Sequence, residues 1–336
     1  MVMRGGRLHF VDNVKGILII LVVLGHYLPQ VPQWSTLATC VHELVFLFHM
    51  PLFVFVSGLF AKSLSKGGRL RAERILSVVA LGFAYQLVLI AVERPGVPFA
   101  QAALNLSWAS WYLVSLGAWY AFVPALEALR PRAGVGIALA LSLAAGVPGG
   151  VGDFLALDRT LVFAPCFALG YYCPLDGLAA ARRSPWARAI VVAAAAFVVA
   201  WFALGLAGSN PFFEFKQVMH ADAYRDGVLL GMLQRLAGFA GAGVVSAGLL
   251  FAVPDARGPL ATLGERTLPV YVLHRVVRPF LKAAGAFSTP PFQDPVLAVA
   301  SAAALSVAVA FACAWRPVAR AFDAALRASW RPLVRG

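Results

Sequence analysis

The chain has 336 residues, of which 61% are hydrophobic and 13% are charged, and its mean hydropathy is +0.79. Soluble domains have about 45–50% apolar and about 25% charged residues, so this composition excludes a water-soluble fold and makes the lipid bilayer the expected partner of most of the surface. The net charge of +13 does not indicate nucleic acid, because the basic residues form short clusters between apolar runs, as in multi-pass membrane proteins.

Apolar segments that are candidates for membrane spans, each needing about 20 residues, recur along the whole sequence. They predict an all-α membrane protein with about ten transmembrane helices, organised as a single integral-membrane domain over residues 1–336. The first segment is interpreted as a retained span, since no A-x-A cleavage site follows it. The segments are 14–32, 42–61, 75–92, 108–129, 133–149, 159–177, 188–208, 227–252, 267–285 and 295–315.

The distribution of lysine and arginine predicts the orientation of these spans. Alternate loops and the two ends hold 20 of the 28 basic residues, and cytoplasmic loops carry such an excess. Both termini are therefore expected in the cytoplasm, and the protein is expected in the cell inner or plasma membrane. No internal repeat is visible, although many transporters have one.

The first span carries a lysine and a histidine in helical phase. Lys15 and His26 are 11 residues apart, which corresponds to about 16 Å and about three turns of one helix face. An ionisable group inside a bilayer costs about 2.5–3.5 kcal/mol and asks for a functional explanation. We expect His26 near mid-membrane as a catalytic residue; the alternative is a histidine satisfied by packing.

The second span has a histidine beside a proline. His49 is 13 residues before Lys62, which predicts a depth similar to that of His26. Pro51 frees a backbone carbonyl. The two histidines would then share one cavity, with His49 as a second catalytic residue; the alternative is a histidine bonded to the irregular backbone.

The remaining candidates are a basic pair and several single residues. Arg71 and Arg74 are three residues apart on one face of a helix, and guanidinium groups match phosphate oxygens. Arg159, at the outer edge, is either paired with Asp158 or part of an acceptor site. His274 lies about 12 Å into the ninth span and is either structural or site-lining.

The other histidines, His9, His42 and His220, are expected to be solvated or interfacial. The loop over 209–226 is either a solvated connection or an acceptor-binding lip. The sequence has no metal-ligand, phosphate-loop or serine-hydrolase motif, so no metal is expected. The cysteines are interpreted as packing residues and are Cys40, Cys166, Cys173 and Cys313.

Several motifs together resemble the acyltransferase-3 family, close to its fucose 4-O-acetylase-like branch. The similarity includes a basic residue, ten intervening residues and a histidine, which are Lys15 to His26 here, and the Arg71-x-x-Arg74 pair. The further matching segments are Asp12–Gly16, Phe48–Gly58, Trp111–Leu116, Arg159–Gly170 and Tyr271–His274. A lysine replaces the commoner arginine at position 15, which keeps the charge and loses the forked donor geometry.

The resemblance implies an acyl-coenzyme A donor, most simply acetyl-coenzyme A, and a hydroxyl acceptor on a carbohydrate, glycolipid or secondary metabolite. On this reading Lys15, Arg71 and Arg74 hold the coenzyme A phosphates and His26 is the general base. Trp111 and Tyr112 would stack on the acceptor, with Arg159 and His274 beside it. The alternative function is a transporter or flippase, because intramembrane charges also mark permeation paths.

Overall fold

The computed structural model describes residues 8–66, 69–93, 98–106, 109–147, 152, 154–204, 224 and 227–330. Tyr224 is the one residue of the loop 209–226 that these ranges include. The described chain is helical apart from one antiparallel pair of two-residue strands. The α-helices are α1 (His9–Tyr27), α2 (Thr36–Ala61), α3 (Ala72–Glu93), α4 (Phe99–Leu104), α5 (Trp111–Ala121), α6 (Val123–Ala128), α7 (Pro131–Ala144), α8 (Leu157–Tyr172), α9 (Leu175–Ala181), α10 (Pro185–Ala203), α11 (Val228–Ala252), α12 (Pro259–Gly264), α13 (Thr267–Ala283), α14 (Leu297–Cys313) and α15 (Arg316–Trp330).

The two strands form a short hairpin before α3. They are β1 (Ser65–Lys66) and β2 (Arg69–Leu70), with Ser65 opposite Leu70. Single 3₁₀ turns cover Leu28–Gln30, Lys62–Leu64, Ala286–Ser288 and Pro290–Phe292.

The helices agree with the helical class predicted from the sequence, and each of the ten predicted segments contains one. By length and composition, four helical stretches in the described part of the chain are long and apolar enough to cross a membrane, and up to six if each of two bent pairs is one span. The bent pairs are α8 with α9, at 82°, and α14 with the first part of α15, at 60°. Several apolar helices therefore make this a multi-pass membrane protein, while ten spans and cytoplasmic termini stay predictions.

Proline shapes two of the predicted segments. The segment 108–129 consists of α5 and α6, which meet at Phe122, and Pro124 stands in the first turn of α6. Proline has no N–H to donate and fits the start of a helix. Pro51, in contrast, stands inside α2, which continues on both sides of it.

The chain divides into two compact units, with boundaries inside α2 and α11. The first unit comprises Met1–His49, Ala180–Asn210 and Gly241–Asp323, and the second comprises Met50–Ala179, Pro211–Ala240 and Ala324–Gly336.

In the first unit, α1 lies against α12 with backbone in contact. A Cβ on Gly16 would overlap the carbonyl of Leu260, and one on Gly264 would overlap the carbonyl of Asp12. Beside this contact the Asn13 amide donates to the carbonyl oxygens of Pro254 and Ala256, at 3.0 and 2.8 Å. Polar residues at the start of α1 are therefore buried because they have partners on the segment between α11 and α12.

A half-buried arginine holds the end of α11 in the same unit. Arg182 donates to the carbonyl oxygens of Leu250, at 2.6 Å, and Val253, and its guanidinium lies 3.8 Å from the ring centroid of Phe10. Burial lowers the pKa of Arg182 from its usual value. These carbonyls belong to the end of a helix, where backbone acceptors have no partner within the helix.

In the second unit, α2 crosses α8 and α5 packs against α8. A Cβ on Gly58 would overlap the carbonyl of Phe167 in α8, so the two backbones are in contact. The hydroxyls of Ser115 and Thr160 are 2.6 Å apart, and the Trp119 indole N–H donates to the Thr160 carbonyl at 2.9 Å. Small and hydroxylated residues thus allow close helix packing here.

Candidate active site

His26 stands in the last turn of α1, beside the middle of α2. The preceding Gly25 packs against α2, where a Cβ would lie 3.0 Å from the ring of Phe46. Since α2 begins at Thr36, about 14 Å of that helix precedes the level of His26. The predicted segment 14–32 placed His26 well inside a helix; in the structure α1 ends at Tyr27, so His26 lies at a helix end.

Two arginines of α13 converge on His26. The Arg275 Nη1 atom is 3.2 Å from the imidazole Nδ1 of His26, and Arg278 Nη1 donates to the His26 carbonyl at 3.4 Å. Arg275 is only 8% exposed. The arginines are three residues apart and so share a face of α13. The sequence analysis did not include either arginine among the candidate site residues.

His274, next to Arg275, stacks on His26. Their ring centroids are 5.2 Å apart with an angle of 25° between the planes. The Nδ1–H of His274 donates to the Val270 carbonyl at 2.9 Å, and the Tyr27 hydroxyl donates to the His274 carbonyl at 2.9 Å. The other ring nitrogen, Nε2, is buried and has no hydrogen-bond partner among the described residues. The structure thus brings the predicted candidates His26 and His274 together.

His49 is buried one turn further along α2. Its Nδ1–H donates to the carbonyl of Val45 at 2.5 Å, and its ring contacts Phe46 edge to face with centroids 5.0 Å apart. Because Phe46 also touches Gly25, His49 and His26 lie at neighbouring levels of α2, while their depth in the membrane stays a prediction. The alternative was a histidine bonded to the irregular backbone at Pro51; the Nδ1 contact is instead with a helix carbonyl one turn before His49.

His42 is buried, and the prediction of a solvated residue is wrong for it. It is 2% exposed and its ring stacks on Phe46 with centroids 4.3 Å apart. The Trp34 ring contacts it edge to face with centroids 5.6 Å apart, and His42 Nδ1 is 3.2 Å from the Glu43 carboxylate. His42 is therefore covered by Phe46, one turn later in α2, and by Trp34, which precedes the helix. His9 is half-buried, and His220 lies outside the described residues.

Lys15 shares α1 with His26, as the spacing predicts, and has an acidic neighbour that the sequence interpretation gave no role. Its Nζ is 3.0 Å from the Asp12 carboxylate, with side-chain exposures of 20% and 8%. An ion pair at this spacing forms readily on one helix face. An anion that binds Lys15 would therefore also lie close to the Asp12 carboxylate.

The basic pair of the second unit lies at the start of α3. Arg71 immediately precedes the helix, and its backbone N–H donates to Leu64 at 3.0 Å; Arg74 is in the first turn and exposed. A helix N-terminus carries partial positive charge and free N–H groups, which favour anions. The two guanidinium groups and the helix end thus contribute charge of the same sign.

The proposed acceptor residues of the second unit contact one another. Trp111 stacks on Phe163 with centroids 5.3 Å apart, and the Arg159 guanidinium lies 5.6 Å from the Trp111 centroid. Tyr112 bonds to the Ser57 hydroxyl at 2.7 Å. Both aromatic residues are at most 8% exposed, so stacking of a sugar on Trp111 requires movement of a neighbour. Arg159 Nε is also 3.8 Å from the Asp158 carboxylate, the pairing that the sequence left open.

Metal-type clusters are not found in the described part of the chain, where no three histidine, cysteine or acidic residues are grouped. The four cysteines are free thiols. The polar groups that gather in the first unit are instead nitrogen donors and imidazole lone pairs, which suit proton transfer and stabilisation of negative charge.

The chain matches a protein family model described as "Acyltransferase domain". The match covers residues 8–315, a range that includes His26, Arg275 and the basic pair at the start of α3. No curated protein and no solved structure matches the chain.

Proposed function

This chain belongs to the acyltransferase-3 family, and we propose from that premise that it is a membrane-bound O-acyltransferase. It moves an acyl group, most simply acetyl, from acyl-coenzyme A to a hydroxyl of a carbohydrate, glycolipid or secondary metabolite, as in the fucose 4-O-acetylase-like branch. The observation that carries this proposal is the cluster of His26, His274 and Arg275 inside the matched range.

His26 acts as general base in this proposal. Attack on a thioester requires the acceptor hydroxyl to lose its proton, and a positioned imidazole removes it. The proton passes to His26, the new C–O bond forms and the thioester oxygen becomes negative. The C–S bond then breaks and the departing thiolate takes the proton from His26, so that coenzyme A leaves as a thiol and no net proton is released.

His49, expected from the sequence as a second catalytic residue, assists His26 in this proposal. Its N–H at Nδ1 is used by the Val45 carbonyl. A neutral imidazole has one donor and one acceptor nitrogen, so Nε2 of His49 accepts. We assign it to orient the acceptor hydroxyl near His26.

The donor is held through its phosphates by Arg71 and Arg74. The exposed position of Arg74 at the start of α3 and the strength of guanidinium–phosphate bonds support this part. The acceptor approaches Trp111 and Tyr112, and Arg159 binds its oxygens.

We propose ten spans with both termini in the cytoplasm of the cell inner membrane. Reporter fusions after residues 70 and 332 should report cytoplasm, and a fusion after residue 215 should report the outside. The charge bias over the loops supports this arrangement. An outside signal at residue 70 would overturn it.

The experiment that tests the activity is transfer of labelled acetyl from acetyl-coenzyme A by purified protein to a panel of sugars and glycolipids. His26→Gln should reduce kcat by about 10²–10⁴-fold, the usual contribution of a general base. His9→Gln is the matched control, since His9 lies on the same helix and outside the cluster. A folded His26→Gln protein that binds acetyl-coenzyme A and turns over within a few-fold of the parent would contradict the assignment.

A further inference from the structure

Arg275 is aimed at the side chain that the reaction uses. Its Nη1 atom is 3.2 Å from His26 Nδ1, and it is buried. Arg278 separately serves the backbone, since it donates to the His26 carbonyl. Satisfying the carbonyl at the end of α1 therefore does not require Arg275, and its contact with the imidazole has a different consequence.

The contact fixes the tautomer of His26. A guanidinium has only donors, so Nδ1 of His26 accepts and carries no proton. The neutral ring then has its proton on Nε2. His49 and His274 are the opposite, because each donates from Nδ1 to a carbonyl. Three neighbouring histidines of the first unit thus include one, His26, whose lone pair is on Nδ1, and a cation occupies that lone pair.

An occupied lone pair cannot take a proton, so the free protein holds its general base in a blocked form. We propose that Arg275 exchanges partners during transfer: it holds His26 Nδ1 in the free protein and donates to the thioester oxygen when acyl-coenzyme A and acceptor are bound. The inference rests on the proposed function and adds to it the group that stabilises the oxyanion.

The step balances with the groups present. As Arg275 moves to the thioester oxygen, His26 Nδ1 receives the proton of the acceptor hydroxyl, and the C–O bond forms. The negative oxygen of the tetrahedral intermediate lies against the guanidinium, an arrangement that favours the transition state over the ground state. The carbonyl re-forms, the C–S bond breaks, and the thiolate recovers the proton from Nδ1. Arg275 then returns to the vacated lone pair.

The activity test compares variants at two arginines of the same helix face. Arg275→Met should lower kcat by about 10²–10³-fold, as loss of one oxyanion donor does elsewhere, with the Kd for acetyl-coenzyme A unchanged. Arg275→Lys should recover part of kcat, because it keeps a cationic donor. Arg278→Met is the matched control. It should lower the stability of the protein, because the His26 carbonyl loses its donor, and it should lower kcat less than Arg275→Met does. Equal kcat losses at Arg275 and Arg278, or a folded Arg275→Met with near-normal kcat, would overturn the proposal.

The tautomer test is independent of turnover. Nitrogen-15 NMR of histidine-labelled protein should show the His26 proton on Nε2 and those of His49 and His274 on Nδ1, with signals assigned by single histidine-to-glutamine variants. In Arg275→Met, or in Arg275→Lys if the methionine variant does not fold, only the His26 signals should shift. A His26 proton on Nδ1 in the parent protein would overturn the inference. If the parent transfers no acyl group, the proposed function and the oxyanion role both fail, whereas the tautomer result still decides whether Arg275 positions His26.

Discussion

Two clusters of the molecule, one in each unit, use buried polar side chains differently. In the cluster of the second unit the bonds between Ser57 and Tyr112 and between Ser115 and Thr160 join neutral groups to each other. In the cluster of the first unit a guanidinium meets an imidazole lone pair, and the Nε2 lone pair of His274 has no described partner. A closed neutral network stabilises helix packing, whereas a buried acceptor without a donor costs about 1–3 kcal/mol. The comparison teaches that the cluster around His26 retains polar groups that packing alone does not explain.

In the second unit, the largest effect on ligand affinity is expected at the basic pair at the start of α3, where Arg74 is exposed. Arg74→Ala should weaken acyl-coenzyme A binding about tenfold and the double variant with Arg71→Ala about 100-fold, the range for bonds to charged groups. Isothermal titration with coenzyme A and with dephospho-coenzyme A measures this. Arg132→Ala, an exposed arginine of α7, is the control. Unchanged affinity in both single variants would remove the pair from the donor site.

The orphaned lone pair in the first unit gives an intermediate effect. His274→Phe keeps an aromatic ring against His26 and removes the unsatisfied nitrogen, so the free energy of unfolding should stay within about 1 kcal/mol of the parent. If Nε2 accepts a hydrogen bond from the acceptor substrate, the KM for the acceptor should rise about tenfold in His274→Phe, while binding of acetyl-coenzyme A is unchanged.

His42→Phe is the matched control for that variant, because His42 is equally buried and stacked on an aromatic ring. It should leave the acceptor KM unchanged. An unaltered KM in His274→Phe would mean that His274 serves packing alone, and the contrast between the two units would then rest on Arg275 and His26.

The smallest effect is expected inside the closed network. Tyr112→Phe removes the hydroxyl bonded to Ser57, while Ser57 keeps its bond to the Phe53 carbonyl at 2.9 Å. Hydrogen bonds between membrane helices contribute about 0.6 kcal/mol on average. A shift of this size in thermal unfolding and an acceptor KM within twofold are expected. A large rise in KM would make the hydroxyl part of the acceptor site and weaken the contrast.

The sequence predicted elements better than it predicted their ends. Each of the ten apolar runs contains helix, but the runs did not include the helices α4, α12 and α15. The helix α1 begins before its apolar run because Asp12 and Asn13 have partners in the folded unit. It ends before the run does, and Pro29 in the following 3₁₀ turn marks that end. The start of α1 could not be predicted, because its partners are distant in sequence and local patterns do not contain them. The end of α1 could have been predicted from Pro29.

The candidate site was predictable only as separate residues. The spacing of Lys15 and His26 located the histidine, and the cost of charge in a bilayer would have drawn attention to Arg275 as well. Its contact with His26 depends on packing between α1 and α13, about 250 residues apart in sequence. The His26 tautomer followed only from that packing, because the Arg275 contact sets it, whereas His49 and His274 each bond to a carbonyl four residues earlier in the same helix.

The contact between the start of α1 and the segment before α12 has a consequence for biosynthesis. The Asn13 amide can form its two hydrogen bonds only after Pro254 and Ala256 have been synthesised, and these are 241 and 243 residues later in the chain. At about 5–20 residues per second, that interval is roughly 12–50 s of translation. During this interval the polar start of the first helix made lacks these two partners. Ribosome-stalled chains ending before residue 254 should therefore leave α1 open to quality-control proteases, and longer chains should protect it.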